Sequence, residues 1–208
     1  MHASGGAATQ IRNAFAEAGI DELPPIAYDQ FETYLELLLR WNLRINLTAV
    51  REPEQIIRRH FVECAFAAQH LPRDITTLLD YGSGAGLPGI PIAICRPEIR
   101  VTLSEAQGKK IAFLSEALRV LRLAGEVYGA RVETMPAQLG FDAVAMRAVE
   151  KMVLAMPVAI QHAKHYLVLF TTQESAGAYL AHTPELRWLA PFAIPNTEQM
   201  VVAIGQRA

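Results

Sequence analysis

Apolar residues recur every three or four positions along the first third of the chain. In "YDQFETYLELLLRWNLRINL", Phe31, Tyr34, Leu35, Leu38 and Trp41 fall on one side of a helix, with Glu32, Glu36 and Arg40 around it. A shorter helix is expected from Thr9 to Gly19, where the glycine stops it, and residues 1–8, rich in Gly, Ala and Ser, read as a frayed end. "ELPP" breaks the chain. A further helix is expected to begin near Pro53, a residue suited to a first turn, with Ile56, Ile57, His60, Phe61, Cys64, Ala65 and Ala68 on its apolar side. The first 70 residues are therefore predicted to be helical.

After "PRD" the period changes. "TTLLDY", "RVTLSE", "EVYGAR", "FDAVAMRA" and "HYLVLFTTQ" are short apolar runs rich in strand formers. Helical patterns separate them: "PGIPIAICR", "KKIAFLSEALRVLRLAG" and "KMVLAMPVAIQHA". In the second, Ile111, Leu114, Leu118 and Leu121 form the buried stripe and Gly125 marks the stop. Alternation of strand and helix predicts an α/β fold, a mostly parallel sheet with helices on both faces. "EQMVVAIGQ" adds a last strand, expected antiparallel at the sheet edge. The expected organisation is a helical extension over residues 1–70 and a sheet-based core over 71–208, together one structural domain.

Composition changes this picture little. The 208 residues are 51% hydrophobic and 19% charged, enough for a core without disulfides or metal. Two cysteines, Cys64 and Cys95, make neither a disulfide framework nor a zinc pattern and suit a reducing compartment. The start has no signal-peptide pattern and no window reads as a membrane span, so a cytoplasmic location is expected. A net charge of −2 argues against a general nucleic-acid coat. A local basic cluster, Arg40, Arg44, Arg51, Arg58 and Arg59, leaves the partner open.

The candidate chemistry sits in "LLDYGSGAGLPGIP", residues 78–91. Gly82, Gly84 and Gly86 follow the first strand, where ligands bind in sheets of this kind. Glycines there let a ligand meet bare backbone N–H groups. A nicotinamide dinucleotide would favour G-x-G-x-x-G, but position 87 holds Leu and the third glycine falls at 86. An acid two residues before the first glycine, Asp80, is usual instead in S-adenosylmethionine enzymes. Glu105 ends the second strand nineteen residues beyond Gly86, placed to accept ribose hydroxyls.

A more specific resemblance rests on four segments in order: "WNLRINLTAVREPEQIIRRHFVECA", "DYGSGAGLPGIPIAI", "LSEAQGKKIAFL" and "FDAVAMRAV". Together they resemble the RsmG (GidB) family, bacterial methyltransferases of guanine N7 in 16S ribosomal RNA. The resemblance implies a Rossmann-like methyltransferase fold, S-adenosylmethionine as donor, and the small ribosomal subunit or its precursor as partner. It implies that Gly82, Gly84 and Leu87 line the cofactor pocket, that Glu105 holds the ribose, that Val132 and Glu133 of "ARVET" form the adenine turn, and that Arg147 also serves the cofactor site. The sequence departs from the family pattern at Glu63 and Cys64, where an aspartate and a serine are usual, and at Thr171 and Thr172, where a lysine-glycine pair is common.

Guanine N7 carries an in-plane lone pair and no proton, so its methylation needs orientation rather than a general base. Arg58, Arg59 and His60 are candidates for contact with RNA, and for each a plain helix-face or core-edge role is the alternative. A small-molecule or protein target for the same fold is the rival reading of function. His162 and His165 lack a third ligand, so no metal is expected. Nothing in the sequence demands more than a monomer.

Overall fold

A computed structural model of the chain describes residues 5–207. Helix α1 (Gly5–Glu17) begins earlier than expected: residues 5–8 are already helical, with Ala7 and Ala8 packed against the core, while residues 1–4 lie outside the described residues. α2 (Pro25–Asn42) starts on a proline and buries Phe31, Tyr34, Leu35 and Leu38, the stripe read from the sequence. The next helix is built in three pieces: α3 (Pro53–Ile56), a π-helical turn (Ile57–Phe61), and α4 (Val62–His70). The widened turn holds "IRRHF", and no periodicity in the sequence signals it.

The sheet follows. β1 (Thr77–Tyr81), β2 (Arg100–Ser104), β3 (Gly125–Tyr128), β4 (Phe141–Arg147) and β5 (Ala163–Thr172) lie parallel in the order β3-β2-β1-β4-β5. The order of connection reverses at the β1–β4 pair, with β2 and β3 added on one side and β5 on the other. The last strand, β8 (Met200–Arg207), runs antiparallel to β5 as expected, but it is not the edge: β6 (Leu186–Trp188) and β7 (Phe192–Ala193) both pair with it from outside. Val201, Val202, Ala203 and Ile204 are buried, which accounts for a strand covered on both sides. The sequence reading lacked β6, β7 and helix α8 (Gln173–Ala181), whose runs are too short for periodicity to register.

Alternate strand residues face opposite layers. Leu78, Ala143, Ala145 and Val168 join a cluster with α1, α2, α4, α5 (Gly89–Cys95) and α6 (Gly108–Leu121). Leu79, Val144, Met146, Leu167 and Leu169 join a second cluster with α7 (Met152–His162). The helical extension and the sheet thus share one continuous core. Helix α6 stops at Leu121, four residues short of expectation, because Arg122 takes a left-handed conformation at φ 54° and the Leu123 N–H reaches back to Leu118 O at 3.1 Å. Gly125 instead opens β3, where a Cβ would stand 2.6 Å from the Val101 carbonyl oxygen. The glycine serves strand approach, not the helix end.

Candidate active site

The loop from β1 to α5 crosses the carboxyl end of the sheet at the point where strand order reverses. Gly82, Gly84 and Gly86 have φ of +72°, +55° and +86°, values that side chains rarely tolerate. At Gly86 a Cβ would also overlap the Ile90 side chain and approach a Leu114 methyl at 3.2 Å, so loop and helix meet only because it is glycine. At Gly82 and Gly84 a Cβ would meet only ordinary van der Waals contacts, Val149 at 4.0 Å and the Gly82 carbonyl oxygen at 3.8 Å. Tyr34, fully buried in the helical extension, donates to the Ala85 carbonyl at 2.6 Å and ties α2 to the loop.

Asp80, with no exposed surface, accepts from the Gly89 N–H at 3.0 Å through one oxygen, and its other oxygen has no partner. Burial pushes its carboxyl up to about 7, against the pull of the Gly89 amide. Glu105 accepts from the N–H groups of Ala106 and Gln107 at 2.8 Å each through Oε1, and from Gly84 N–H at 3.1 Å through Oε2. Three of its roughly four lone-pair positions are thereby occupied. As it stands, Glu105 has room for one sugar hydroxyl and takes a second only by releasing a backbone donor.

Two adjoining cavities open above this loop. The first, of about 600 Å³, is lined by Tyr81, Gly82, Ser104, Glu105, Val132 and Glu133 among others. Val132 is buried in a short 3-10 turn (Val132–Thr134), and Glu133 accepts from the Tyr81 hydroxyl at 2.7 Å. Its own backbone amide and that hydroxyl hold the Glu133 carboxyl below the usual range. The second cavity, of about 630 Å³, shares Gly82, Glu105 and Val149 with the first and continues past Gly84 and Leu87 to Thr48, His60, Arg147, Thr171 and Tyr179.

On the floor of that second cavity lies a polar chain. Arg147 Nη2 donates to Glu63 Oε2 at 2.7 Å and to His60 Nδ1 at 2.9 Å, and His60 Nε2 meets the Thr48 hydroxyl at 3.0 Å. The Arg147–Glu63 pair is largely buried, with side chains 14% and 7% exposed. Burial and then the Arg147 guanidinium pull the imidazole down to about 4, so His60 is neutral near pH 7. The π-helical turn is what brings His60 onto this floor.

The sequence-derived candidates are therefore divided. Gly82, Gly84, Leu87, Glu105, Val132, Glu133, Arg147 and His60 line the paired cavities. Arg58 does not: it is exposed and paired with Glu54 at 3.2 Å and Glu17 at 3.3 Å. Arg58 and Arg59 both border a separate cleft with Asn196, Thr197, Glu198 and Gln199, which meets the second cavity at Met200. His162 donates from Nδ1 to the Leu139 carbonyl oxygen at 2.7 Å. The sequence marks Glu63 only as a departure from the family pattern and Tyr34 only as part of a helix stripe, and it gives Thr48 no role of its own. The pairing of Glu63 has a signal, since an acid in the apolar run "FVECAFAA" requires a buried partner; the contacts of Tyr34 and Thr48 carry no such mark.

The parallel sheet reversing at β1–β4, the glycine loop and the acid ending β2 define a Rossmann-like fold of the S-adenosylmethionine-dependent methyltransferase class. Solved structures agree on the fold: an Aquifex aeolicus SAM-dependent methyltransferase superposes with a TM-score of 0.59 at 14% identity, over 76% of this chain and 94% of that one. M. jannaschii TYW2, solved in complex with AdoMet, gives a TM-score of 0.55 at 15% identity, over 69% of this chain and 74% of that one. More particularly, the family model for rRNA small subunit methyltransferase G (GidB) matches residues 27–182, and the chain belongs to that family. It is 38% identical over 146 residues to the Ribosomal RNA small subunit methyltransferase G of Methylobacillus flagellatus, covering 70% of each. Against the Ectopseudomonas mendocina relative it is 40% identical over 142 residues, covering 68% of this chain and 66% of that one. The match to the Xanthomonas oryzae relative, 42% over 120 residues, covers 56% of that protein, so the chain spans between about half and 70% of these relatives. Among the described residues no helix is long and apolar enough to cross a membrane.

Proposed function

We propose that the chain transfers the methyl group of S-adenosylmethionine to N7 of a guanine in 16S ribosomal RNA, acting as a cytoplasmic monomer on the small subunit or its precursor. The observation that carries this reading is the pair of joined cavities astride the glycine loop, together with family membership. The residues present fit the cofactor. Its nucleoside suits the first cavity, with Glu105 for a ribose hydroxyl and the Val132–Glu133 turn for the adenine. Arg147 Nη1 makes no hydrogen bond in the described residues and is available for a carboxylate at the β1–β4 switch point, while Nη2 and Nε are held by Glu63 and His60.

When bound, the cofactor supplies an electrophilic methyl group. What this chain supplies is placement. Guanine N7 needs no deprotonation, and His60 has both ring nitrogens engaged, so it is not free to act as a base. In-line positioning of a lone pair is worth up to about 7–11 kcal/mol of barrier where the geometry is held, and a rigid floor serves that end. The target must be unpaired or displaced, because the A-form major groove hides N7 from side chains. Arg59, in the cleft that meets the second cavity at Met200, is suited to a phosphate of the same strand.

The decisive measurement is mass spectrometry of 16S RNA from cells with and without the protein, paired with calorimetry of S-adenosylmethionine binding. A single N7-methylguanosine that disappears with the gene is expected. Cofactor binding without any change in ribosomal RNA would favour a small-molecule or protein target instead.

A further inference from the structure

The polar chain on the cavity floor fixes the direction of every hydrogen bond in it. Arginine only donates, so His60 Nδ1, 2.9 Å from Arg147 Nη2, must accept. The neutral imidazole then carries its proton on Nε2 and donates it to the Thr48 hydroxyl oxygen at 3.0 Å. The Val50 N–H donates to the same oxygen at 3.1 Å. A hydroxyl has two acceptor positions, and both are filled. The Thr48 proton is therefore left over, with no acceptor in the described residues, and Thr48 lines the second cavity beside Gly84 and Arg147.

Thr48 is also held in place. Asn42, buried at the end of α2, accepts from Leu47 N–H at 2.9 Å and Thr48 N–H at 3.2 Å, and donates to the Thr48 carbonyl at 3.0 Å. A fixed hydroxyl that can donate and cannot accept is a discriminator. At position 6 of a purine, next to N7, guanine offers a carbonyl acceptor whereas an amino-purine offers a donor. Only the former pairs with a donor.

Resting on the methyltransfer reading above, we propose that Thr48 is a specificity-determining residue: its hydroxyl donates to O6 of the target guanine, with the Arg147–His60 pair enforcing that direction. The site rejects a purine bearing an amino group at position 6 because two donors then face each other. His60 is a positioning residue, acting through Thr48.

The test uses the full chain and small-subunit RNA carrying, at the methylated position, either guanosine or 2,6-diaminopurine riboside introduced by ligation. The two bases share N7 and the 2-amino group and differ at position 6 and, with it, in the proton on N1. The change in preference on Thr48 substitution is therefore what isolates position 6. Wild type is expected to prefer guanosine roughly ten- to a hundredfold in kcat/KM, the range set by one unmade bond in a confined site. Thr48→Val should slow both substrates and shrink the preference to about threefold or less, with cofactor affinity by calorimetry unchanged; Thr48→Ser should restore it. A purely structural role would slow both substrates equally, so an unaltered preference in Thr48→Val overturns the proposal, as does a wild type indifferent to the substitution or a parallel loss of cofactor affinity. If wild type methylates neither RNA while binding the cofactor, it is the methyltransfer reading that fails, and Thr48 loses its role with it.

Discussion

The two halves of the crevice are made differently. The half proposed for the nucleoside rests on strand ends, the glycine loop and the Val132–Thr134 turn, and its two strand-end acids are turned inward: Glu105 is held by three backbone donors and Asp80 is sealed from solvent. The other half is gathered from the helical extension, the π-helical turn, β4, β5 and α8, and it is made of side chains. The first is shaped by backbone conformation and tolerates almost no change at its glycines. The second is shaped by hydrogen-bond direction and can be retuned one side chain at a time. On the proposed assignment, a common cofactor and a particular target place those two different demands.

Mutations can push on either half. The largest effect is expected for Glu63→Ala, which strands the buried Arg147 charge: loss of one partner of such a pair costs about 3–5 kcal/mol. Urea denaturation measures it, and Glu63→Gln, which keeps an acceptor, should cost distinctly less. Equal losses would mean that Arg147 finds another partner. On the nucleoside side, Gly86→Ala places a methyl against Ile90 at a positive φ, and overpacking of this kind costs about 1–3 kcal/mol before the backbone strain is added. Cofactor affinity should fall with it by calorimetry, and a variant that binds normally would show that the loop is not the cradle.

A smaller change tests whether the halves are joined. Tyr34→Phe removes the bond to Ala85 O at 2.6 Å and leaves a buried carbonyl unpaired, at about 1–3 kcal/mol. Weaker cofactor binding is expected although Tyr34 lies in the extension; unchanged affinity would uncouple α2 from the loop.

The smallest effect is a pH profile. Asp80, raised from 3.8 to about 7 on folding, contributes stability that is full below about pH 4 and is lost as pH rises through 7. His60, lowered from 6.5 to about 4, contributes stability present above 6.5 and lost as pH falls through 4. The two slopes oppose one another between pH 4 and 7. Asp80→Asn should therefore leave a denaturation midpoint that climbs with pH where the wild-type midpoint is flatter. Identical profiles would mean that Asp80 is ionised in the fold.

The same contrast explains what could be read from the sequence. The nucleoside half is contiguous: the glycines, Asp80 and Glu105 fall within one strand–helix–strand unit, so local pattern and spacing were enough to mark it. Arg147, like Val132 and Glu133, is named only through resemblance, and its contact with His60 across 87 positions is a property of the fold. Thr48 looked like any loop threonine, because its role depends on which of its neighbours must donate. Arg58, two residues before His60 in the sequence, stays outside the paired cavities and pairs with Glu17 and Glu54. Short elements such as β6 and β7 are set by their partner strand and leave too few residues for a period.

The widened turn over Ile57–Phe61 amounts to one residue spliced into an otherwise regular rod. Each residue of an α-helix turns the chain by about 100°, so closing that turn by a single deletion would rotate everything before it by the same angle against α4. Glu63 would stay anchored while the imidazole swung off the crevice and its arginine neighbours were carried round. Length at this one place is therefore as constrained as identity, and natural variants should exchange side chains here far more readily than they gain or lose a residue.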